Sequence, residues 1–343
     1  MGMTHTEIAD LVLETQNKMV KRGAFVDMQT DLTDHIAVRE MWKTRQKVFE
    51  GGDNWEFAAQ MDHNHSARTV GLYQTDGSAL TDTMKNGTIA PRHLNAHYSY
   101  DLREKAFQRG GTAIVNLLQT KYTGMMGSWF EFLEDILWGK PTDSTDTMTP
   151  FGILYWITRS ATEGFNGGNP TGFTNGKADI DQGTYSRWAN WTAQYAAITG
   201  EDVVRKMRKA VRKSKFRSPV SHATPAVGGM RNGIYLGDTP IGLMEELLES
   251  NNMNLGNDLD SKGGRTMFKG TPLTYAPKLD DDSTDPIYML DWKTLAIGVM
   301  AGWENNLTPP YQVPDMHLVR RIDMDASLNM ICTDLRRQAV LYK

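Results

Sequence analysis

The chain has 343 residues, of which 40% are hydrophobic and 23% are charged, which argues against disorder over most of its length. This length predicts two domains, because single domains usually hold about 100–200 residues. The formal net charge of −4 argues against a dedicated reader of nucleic acid, which would carry a basic surplus. The single cysteine, Cys332, excludes a disulfide within the chain and a cysteine-based zinc site, and we expect it to be buried.

Two helical segments are predicted near the start of the chain. Residues 4–21 carry apolar side chains at helical spacing. Residues 22–50 show weaker helical spacing at Ile36, Val38, Met41 and Trp42. These segments either grip a neighbouring chain or form a terminal helix on the chain's own core, and the sequence leaves both interpretations open.

Residues 51–105 form a polar stretch that is interrupted by turn signals such as Asp76-Gly77 and Asn86-Gly87. We predict an extended β-like excursion, or a hairpin, with few apolar residues of its own. Ordering such an arm costs conformational entropy, which it can recover only by lying on another surface. We therefore expect it to contact an adjacent subunit. The candidate residues for that contact are Tyr73, Gln74, Leu80, Lys85, Ile89 and Arg92.

The strongest predicted element is a helix over residues 111–138, where apolar side chains recur at steps of three and four. It would be about 40 Å long at a rise of roughly 1.5 Å per residue. Gly139 with Pro141 ends it. We expect Trp129 and Leu133 to face the core.

Residues 150–300 predict a mixed α/β domain, and the final segment predicts two more strands over 318–342. The expected elements of the middle are a buried strand at 151–157, helical segments in 184–217 and 240–250, and strands at 266–277 and 287–292.

A basic segment spans residues 201–217, and its apolar stripe of Val203, Val204, Met207 and Val211 predicts an amphipathic helix. The plain interpretation is a solvated helix face. The functional interpretation is contact with phosphates, or with an acidic patch on a neighbouring subunit. The basic residues are Arg205, Lys206, Arg208, Lys209, Arg212, Lys213, Lys215 and Arg217.

No motif indicates catalysis, a cofactor, a metal or a membrane span. The Gly-rich loop at 164–177 fails the phosphate-binding pattern, because Ala178 stands where Ser or Thr is required. No run of about 20 apolar residues occurs. The polar stretch holds four histidines whose spacing matches no known metal site, namely His63, His65, His93 and His97. An enzyme centred on His93 or His97 stays open as a weaker alternative.

Three stretches stand out when taken in order. They are LYQTDGSALTDTMKNGTIAPRHLNAHYSYDLREKAFQRGGTAIV (72–115), LWGKPTDSTDTMTPFGILYWITRSATEGFNGGNPTGFT (137–174), and FKGTPLTYAPKLDDDSTDPIYMLDW (268–292) followed by DLRRQAVLY (334–342). Together they resemble the major capsid proteins of tailed double-stranded DNA bacteriophages, which have the Hong Kong-97-like (HK97-like) fold. The resemblance covers most of residues 66–343.

The resemblance implies an α+β capsid fold with four parts. These are an N-terminal arm at 1–50, an extended β loop at 51–105, a peripheral domain combining the long spine helix at 106–145 with the C-terminal strands at 310–343, and an axial domain at 146–309.

The resemblance also implies a structural protein without a cofactor, which is not an enzyme. Hexamers and pentamers of the chain would form an icosahedral shell that encloses the phage genome without reading its sequence. A portal and a scaffolding protein would assist, the latter as a separate chain because only the short arm precedes the loop. A cement or decoration protein is a further candidate partner. The chain would be found in the virion capsid, after assembly in the host bacterial cytoplasm.

The main alternative is a compartment shell of the encapsulin type, which has a similar fold but encloses cargo enzymes. The stretches at 72–115 and 137–174 favour the phage capsid.

Overall fold

A computed structural model describes residues 35–44, 46–62, 67–72, 83–104, 111–214, 232–252 and 266–343. The helix predicted at 4–21 lies outside these ranges. The α-helices within them are α1 (Ile36–Thr44), α2 (Gly111–Trp138), α3 (Ile153–Trp156), α4 (Val203–Lys213) and α5 (Asp238–Asn252). The strands are β1 (Gln46–Phe49), β2 (Trp55–Gln60), β3 (Met84–Ile89), β4 (Arg92–Asp101), β5 (Gly164–Gly167), β6 (Asn190–Gln194), β7 (Asn232–Leu236), β8 (Met267–Phe268), β9 (Thr271–Tyr275), β10 (Ile287–Asp291), β11 (Leu295–Met300), β12 (Asn306–Leu307), β13 (Tyr311–Val313), β14 (Met316–Cys332) and β15 (Ala339–Tyr342).

A seven-stranded mixed sheet occupies the middle of the molecule, in the order β5-β6-β15-β10-β7-β9-β8. Every residue of the central strand β10 is buried, as expected for a strand covered on both faces. Its alternate residues serve two apolar cores. Ile287 and Met289 pack with α4 and α5, whereas Tyr288 and Leu290 belong to the core that contains α2.

A second sheet is built around the long strand β14. One edge of β14 pairs antiparallel with β4, from Val319 opposite Asp101 to Leu328 opposite Arg92. Strands β11, β12 and β13 pair in succession along the other edge, and β1 adds to β11 in parallel. The buried thiol of Cys332, expected from the sequence, ends the strand.

The helix α2 has the predicted bounds. Its buried side chains Met125, Trp129, Leu133 and Leu137 recur every four residues, so one face lies on the core. After Trp138 the chain turns, and Gly139 N–H donates to the carbonyl of Ile136 at 3.0 Å. Both Trp129 and Leu133 therefore face the core as expected.

Two predicted elements of the middle segment are wrong. Residues 151–157 hold the one-turn helix α3 and not a strand. A short run that is apolar throughout fits either structure, and Gly152 lies so close to the end of α2 that a Cβ would come within 2.2 Å of the Gly139 carbonyl oxygen. The helical spacing read in 184–217 holds only for α4, because Asn190–Gln194 forms β6, which pairs in parallel with β15.

The other elements predicted for the middle and final segments are correct in type. Helix α5 covers the predicted 240–250, β9 and β10 lie where two strands were expected, and the last segment contains β14 and β15. Within the described residues, no helix is both long and apolar enough to cross a membrane.

Sheet membership differs from the predicted domain boundaries at two places. Strand β15 belongs to the seven-stranded sheet, although we predicted residues 310–343 in the peripheral domain. Strands β11 and β12 lie beside β14, although we predicted residues 146–309 in the axial domain. In each case backbone pairing across the chain determines the sheet, and local sequence does not reveal it.

Candidate functional site

The predicted excursion contains an antiparallel hairpin of β2 and β3, with Trp55 opposite Ile89 and Gln60 opposite Met84. The base of this hairpin is anchored, because the Trp55 ring stacks on Phe49 with centroids 4.5 Å apart. Gly87 of β3 lies opposite Phe57 of β2, and a Cβ at Gly87 would lie 2.5 Å from the Phe57 ring, which would then have to move. Among the described strands, β2 and β3 pair only with each other.

The far part of the hairpin is exposed and partly apolar. Leu72 is 94% exposed, Met84 is 51% exposed, and Val70 is also exposed. Sequence reasoning did not select these three residues, although an isolated apolar residue in a polar stretch was an available signal. Exposed apolar side chains of this kind are candidates for contact with another molecule.

Of the six residues predicted for subunit contact, three lie outside the described residues, one is exposed, and two make their contacts within the chain. Tyr73, Gln74 and Leu80 lie outside the described residues. Lys85 is exposed on β3 and remains a candidate. Ile89 is buried in the chain's own core, so it is not available to a neighbour.

Arg92 makes its hydrogen bonds within its own chain. Its guanidinium donates to the backbone carbonyls of Asp146 and Thr147, and burial lowers its pKa, a shift that the charge of Asp146 opposes. It therefore fixes the loop after α2 to the start of β4, and we no longer assign it a contact with a neighbour.

The predicted basic helix is α4. Val203 and Met207 are buried against the seven-stranded sheet, whereas Val204 and Val211 are only partly buried. Lys206 pairs with Asp202, and Lys209 lies 3.0 Å from a Glu163 carboxylate oxygen.

Four cations of α4 stay exposed without an ion pair among the described residues. They are Arg205, Arg208, Arg212 and Lys213. Lys215 and Arg217 lie outside the described part of the chain. The helix therefore presents positive charge that the described chain does not neutralise, which suits an anionic partner.

Two of the four histidines of the polar stretch lie in the described chain. His93 and His97 lie on β4, and His93 Nδ1 is 2.7 Å from the Ser327 hydroxyl oxygen across the sheet. His63 and His65 lie outside the described residues. Within the described ranges, no three side chains of the His, Cys, Asp and Glu types are grouped as metal ligands would be.

The sequence matches no protein-family model and no curated protein, but solved structures resemble the fold. The capsid of cyanophage A-1(L) has a TM-score of 0.64 at 14% identity, covering 96% of this chain and 98% of that chain. The capsid of Myoviridae phage XM1 has a TM-score of 0.54 at 10% identity, covering 93% and 94%. The SrpI encapsulin of Synechococcus elongatus PCC 7942 has a TM-score of 0.51 at 9% identity, covering 95% and 94%. The chain thus has the α+β, Hong Kong-97-like capsid fold that its sequence predicts.

Proposed function

We propose that this chain is a phage major capsid protein, a structural protein and not an enzyme. Hexamers and pentamers of it would form an icosahedral shell around double-stranded DNA. The observation that carries the proposal is the extent of the likeness to the cyanophage A-1(L) capsid, which spans 96% of this chain and 98% of that chain. The similarity therefore extends over nearly the whole of both chains and is not confined to a small shared unit.

The hairpin of β2 and β3 is the proposed inter-subunit arm. Its base is packed on its own chain, but Leu72 is almost fully exposed and Met84 is about half exposed in the described chain. Burying apolar surface yields about 25 cal/mol per Å², so an adjacent copy that covered these side chains would offset the entropy of ordering the arm.

The domain division follows the sheets. We assign α2 and the sheet around β14 to a peripheral domain, and the seven-stranded sheet with α4 and α5 to an axial domain. The proposed partners are other copies of this chain, a scaffolding protein, a portal and the enclosed DNA, with a cement protein as an additional candidate. The proposed location is the virion capsid, after assembly in the bacterial cytoplasm.

The basic helix α4 would serve one of two roles, contact with an acidic patch on the next subunit or contact with DNA phosphates. We favour subunit pairing, because Val203 and Met207 anchor α4 in the proposed axial domain, where neighbours would meet. Each exposed pair would contribute only about 0–1 kcal/mol, so the effect depends on several pairs.

The role of α4 is tested by changing Arg205, Arg208, Arg212 and Lys213 to Gln together. Subunit pairing predicts slower assembly of this variant. The control changes four exposed lysines elsewhere, Lys47, Lys140, Lys269 and Lys293, so that the loss of charge is matched. Normal assembly with loss of DNA retention would instead favour contact with phosphates, which weakens steeply with salt.

A compartment shell is the second candidate, because the SrpI encapsulin also resembles the fold, with a TM-score of 0.51 against 0.64 for the cyanophage capsid. The two candidates differ in what the particle contains. Particles of this chain, isolated from the cells that make it and treated with nuclease, should release protected double-stranded DNA. Particles that contain a second protein and no DNA would overturn the capsid proposal in favour of the compartment.

A further inference from the structure

Lys177 is a charged residue type in a fully buried position. Its side chain is 1% exposed, and Nζ donates to Thr158 Oγ1 at 3.0 Å, Asn190 Oδ1 at 3.1 Å and the Gly167 carbonyl at 3.3 Å. Among the described residues, no carboxylate is a hydrogen-bond or charge partner of this amino group. Such a lysine is costly to bury, so its retention calls for a physical reason.

The surrounding hydrogen bonds leave each of the three oxygens able to accept a hydrogen bond from Lys177. The Thr158 hydroxyl donates its own hydrogen to the Gly168 carbonyl at 2.7 Å. The Asn190 amide nitrogen donates to the Thr158 carbonyl at 2.9 Å, which leaves Oδ1 directed to the lysine. An amino group that carries three hydrogens can satisfy all three oxygens. Burial opposes this charge and lowers the pKa of Lys177 to about 7.

The three acceptors come from separate segments at one edge of the seven-stranded sheet. Thr158 follows α3, Gly167 ends β5, and Asn190 begins β6. The approach of β5 to β6 is close, since a Cβ on Gly167 would fall 2.0 Å from Asn190 Oδ1. The Lys177 side chain therefore ties three backbone segments together where the Gly-rich loop folds over the sheet edge.

The turn at 177–178 also contacts the hairpin of β2 and β3. Thr88 N–H in β3 donates to the carbonyl of Ala178, the residue after Lys177, at 3.0 Å. Ala178 has a φ of 53°, a strained value for a residue other than glycine, and its N–H donates to the Tyr155 hydroxyl at 2.9 Å. Trp188 donates to the Lys177 carbonyl at 3.1 Å and packs against Phe57 of β2.

We propose that Lys177 is the positioning residue of the hairpin: its buried amino group fixes the turn at 177–178, and that turn sets the direction in which β2 and β3 extend from the sheet around β14. The importance of that direction for contact with a neighbour rests on the proposed function. The link from Lys177 to Thr88 is intramolecular, so it can be tested in the unassembled chain.

The test compares hydrogen exchange of the full, unassembled chain with that of Lys177→Met, which keeps an unbranched side chain of similar length but removes its donors. At about pH 6, below the pKa of Lys177, exchange in β3 around Thr88 should become at least tenfold faster, while exchange in β10 should not change. The control is Lys140→Met, at an exposed lysine. Unchanged exchange at Thr88 in folded Lys177→Met would overturn the proposal.

A milder pair keeps the proposal testable if Lys177→Met does not fold. Thr158→Val removes one acceptor of the lysine, whereas Thr158→Ser retains the hydroxyl. We expect severalfold faster exchange at Thr88 in the Val variant and wild-type exchange in the Ser variant. Equal exchange in both would overturn the proposal. Failure of the wild-type chain to assemble would instead count against the capsid function and leave the exchange result standing.

Discussion

At the scale of single residues, the buried Glu134 of α2 joins two helices that are distant in sequence. One carboxylate oxygen accepts from Ala37 N–H at 3.0 Å and from the Trp138 indole at 2.7 Å, and the other accepts from Val38 N–H at 3.0 Å. It therefore satisfies two free N–H groups at the start of α1. Burial raises the pKa of Glu134, a shift that these donors oppose.

We predict that Glu134→Ala lowers the free energy of unfolding by about 1–3 kcal/mol, because buried donors lose their acceptor. Urea denaturation measures the change. Glu131→Ala is the control, since Glu131 lies on the same helix, is partly exposed and has no hydrogen bond to another described side chain. Equal stability of the two variants would mean that Glu134 does not hold α1.

Lys177 should also make stability depend on pH. Burial lowers its pKa from the ordinary 10.5 to about 7, a shift that interaction with the Cys332 thiol opposes. Between these values the unfolded chain retains a proton that the folded chain has released. The contribution of Lys177 to the free energy of unfolding therefore rises with pH in this window and is constant below it.

Urea unfolding of wild type and Lys177→Met at several pH values measures this dependence. The stability of the wild type relative to the variant should increase from about pH 7 to about pH 10. A difference that is independent of pH would show that Lys177 keeps its ordinary pKa in the fold.

At the scale of elements, α2 was predicted with its bounds because apolar residues recur at helical spacing along its length and glycine with proline follows. The strand predicted at 151–157 failed because a short apolar run has no period that separates strand from helix. Strand β6 was missed because its partner β15 lies far along the chain, and tertiary pairing overrides local spacing there.

The orientation of α2 predicts a contrast between adjacent residues. Leu133 is fully buried, whereas Phe132 is 45% exposed. Leu133→Asp should prevent folding, since it places an unpaired carboxylate in the core. Phe132→Asp should remain folded by circular dichroism. Soluble and cooperatively unfolding Leu133→Asp protein would contradict the packing of α2.

The hairpin arm predicts that folding and assembly can be separated. Replacing residues 63–82 with a short Asn-Gly turn keeps β2 and β3 and leaves β4 free to pair with β14. The variant should unfold like wild type but fail to close shells in sedimentation. A Gly-Ser segment of the original length serves as the control that separates loss of length from loss of sequence. Normal shells from the shortened chain would show that the arm is not needed for contact between subunits.

At the scale of the whole molecule, the sequence predicted the α+β capsid fold but not the exchange of strands between its sheets. The polar stretch at 51–105 was recognisable as an arm because it has too few apolar residues to form a core of its own. Its contact residues were less accessible to prediction, since the burial of Ile89 and the internal bonds of Arg92 depend on where distant segments pack. The hydrogen bonds of Lys177 were also missed, because the three acceptors come from separate segments of the chain.

The most direct test of the central claim is electron microscopy of the purified full-length chain under conditions where circular dichroism shows it folded. The account predicts rings of five or six copies or closed icosahedral shells, with the hairpin of each copy lying across its neighbour in a reconstructed map. A folded chain that remains monomeric in the micrographs, and sediments as a monomer at the same concentration, would contradict it.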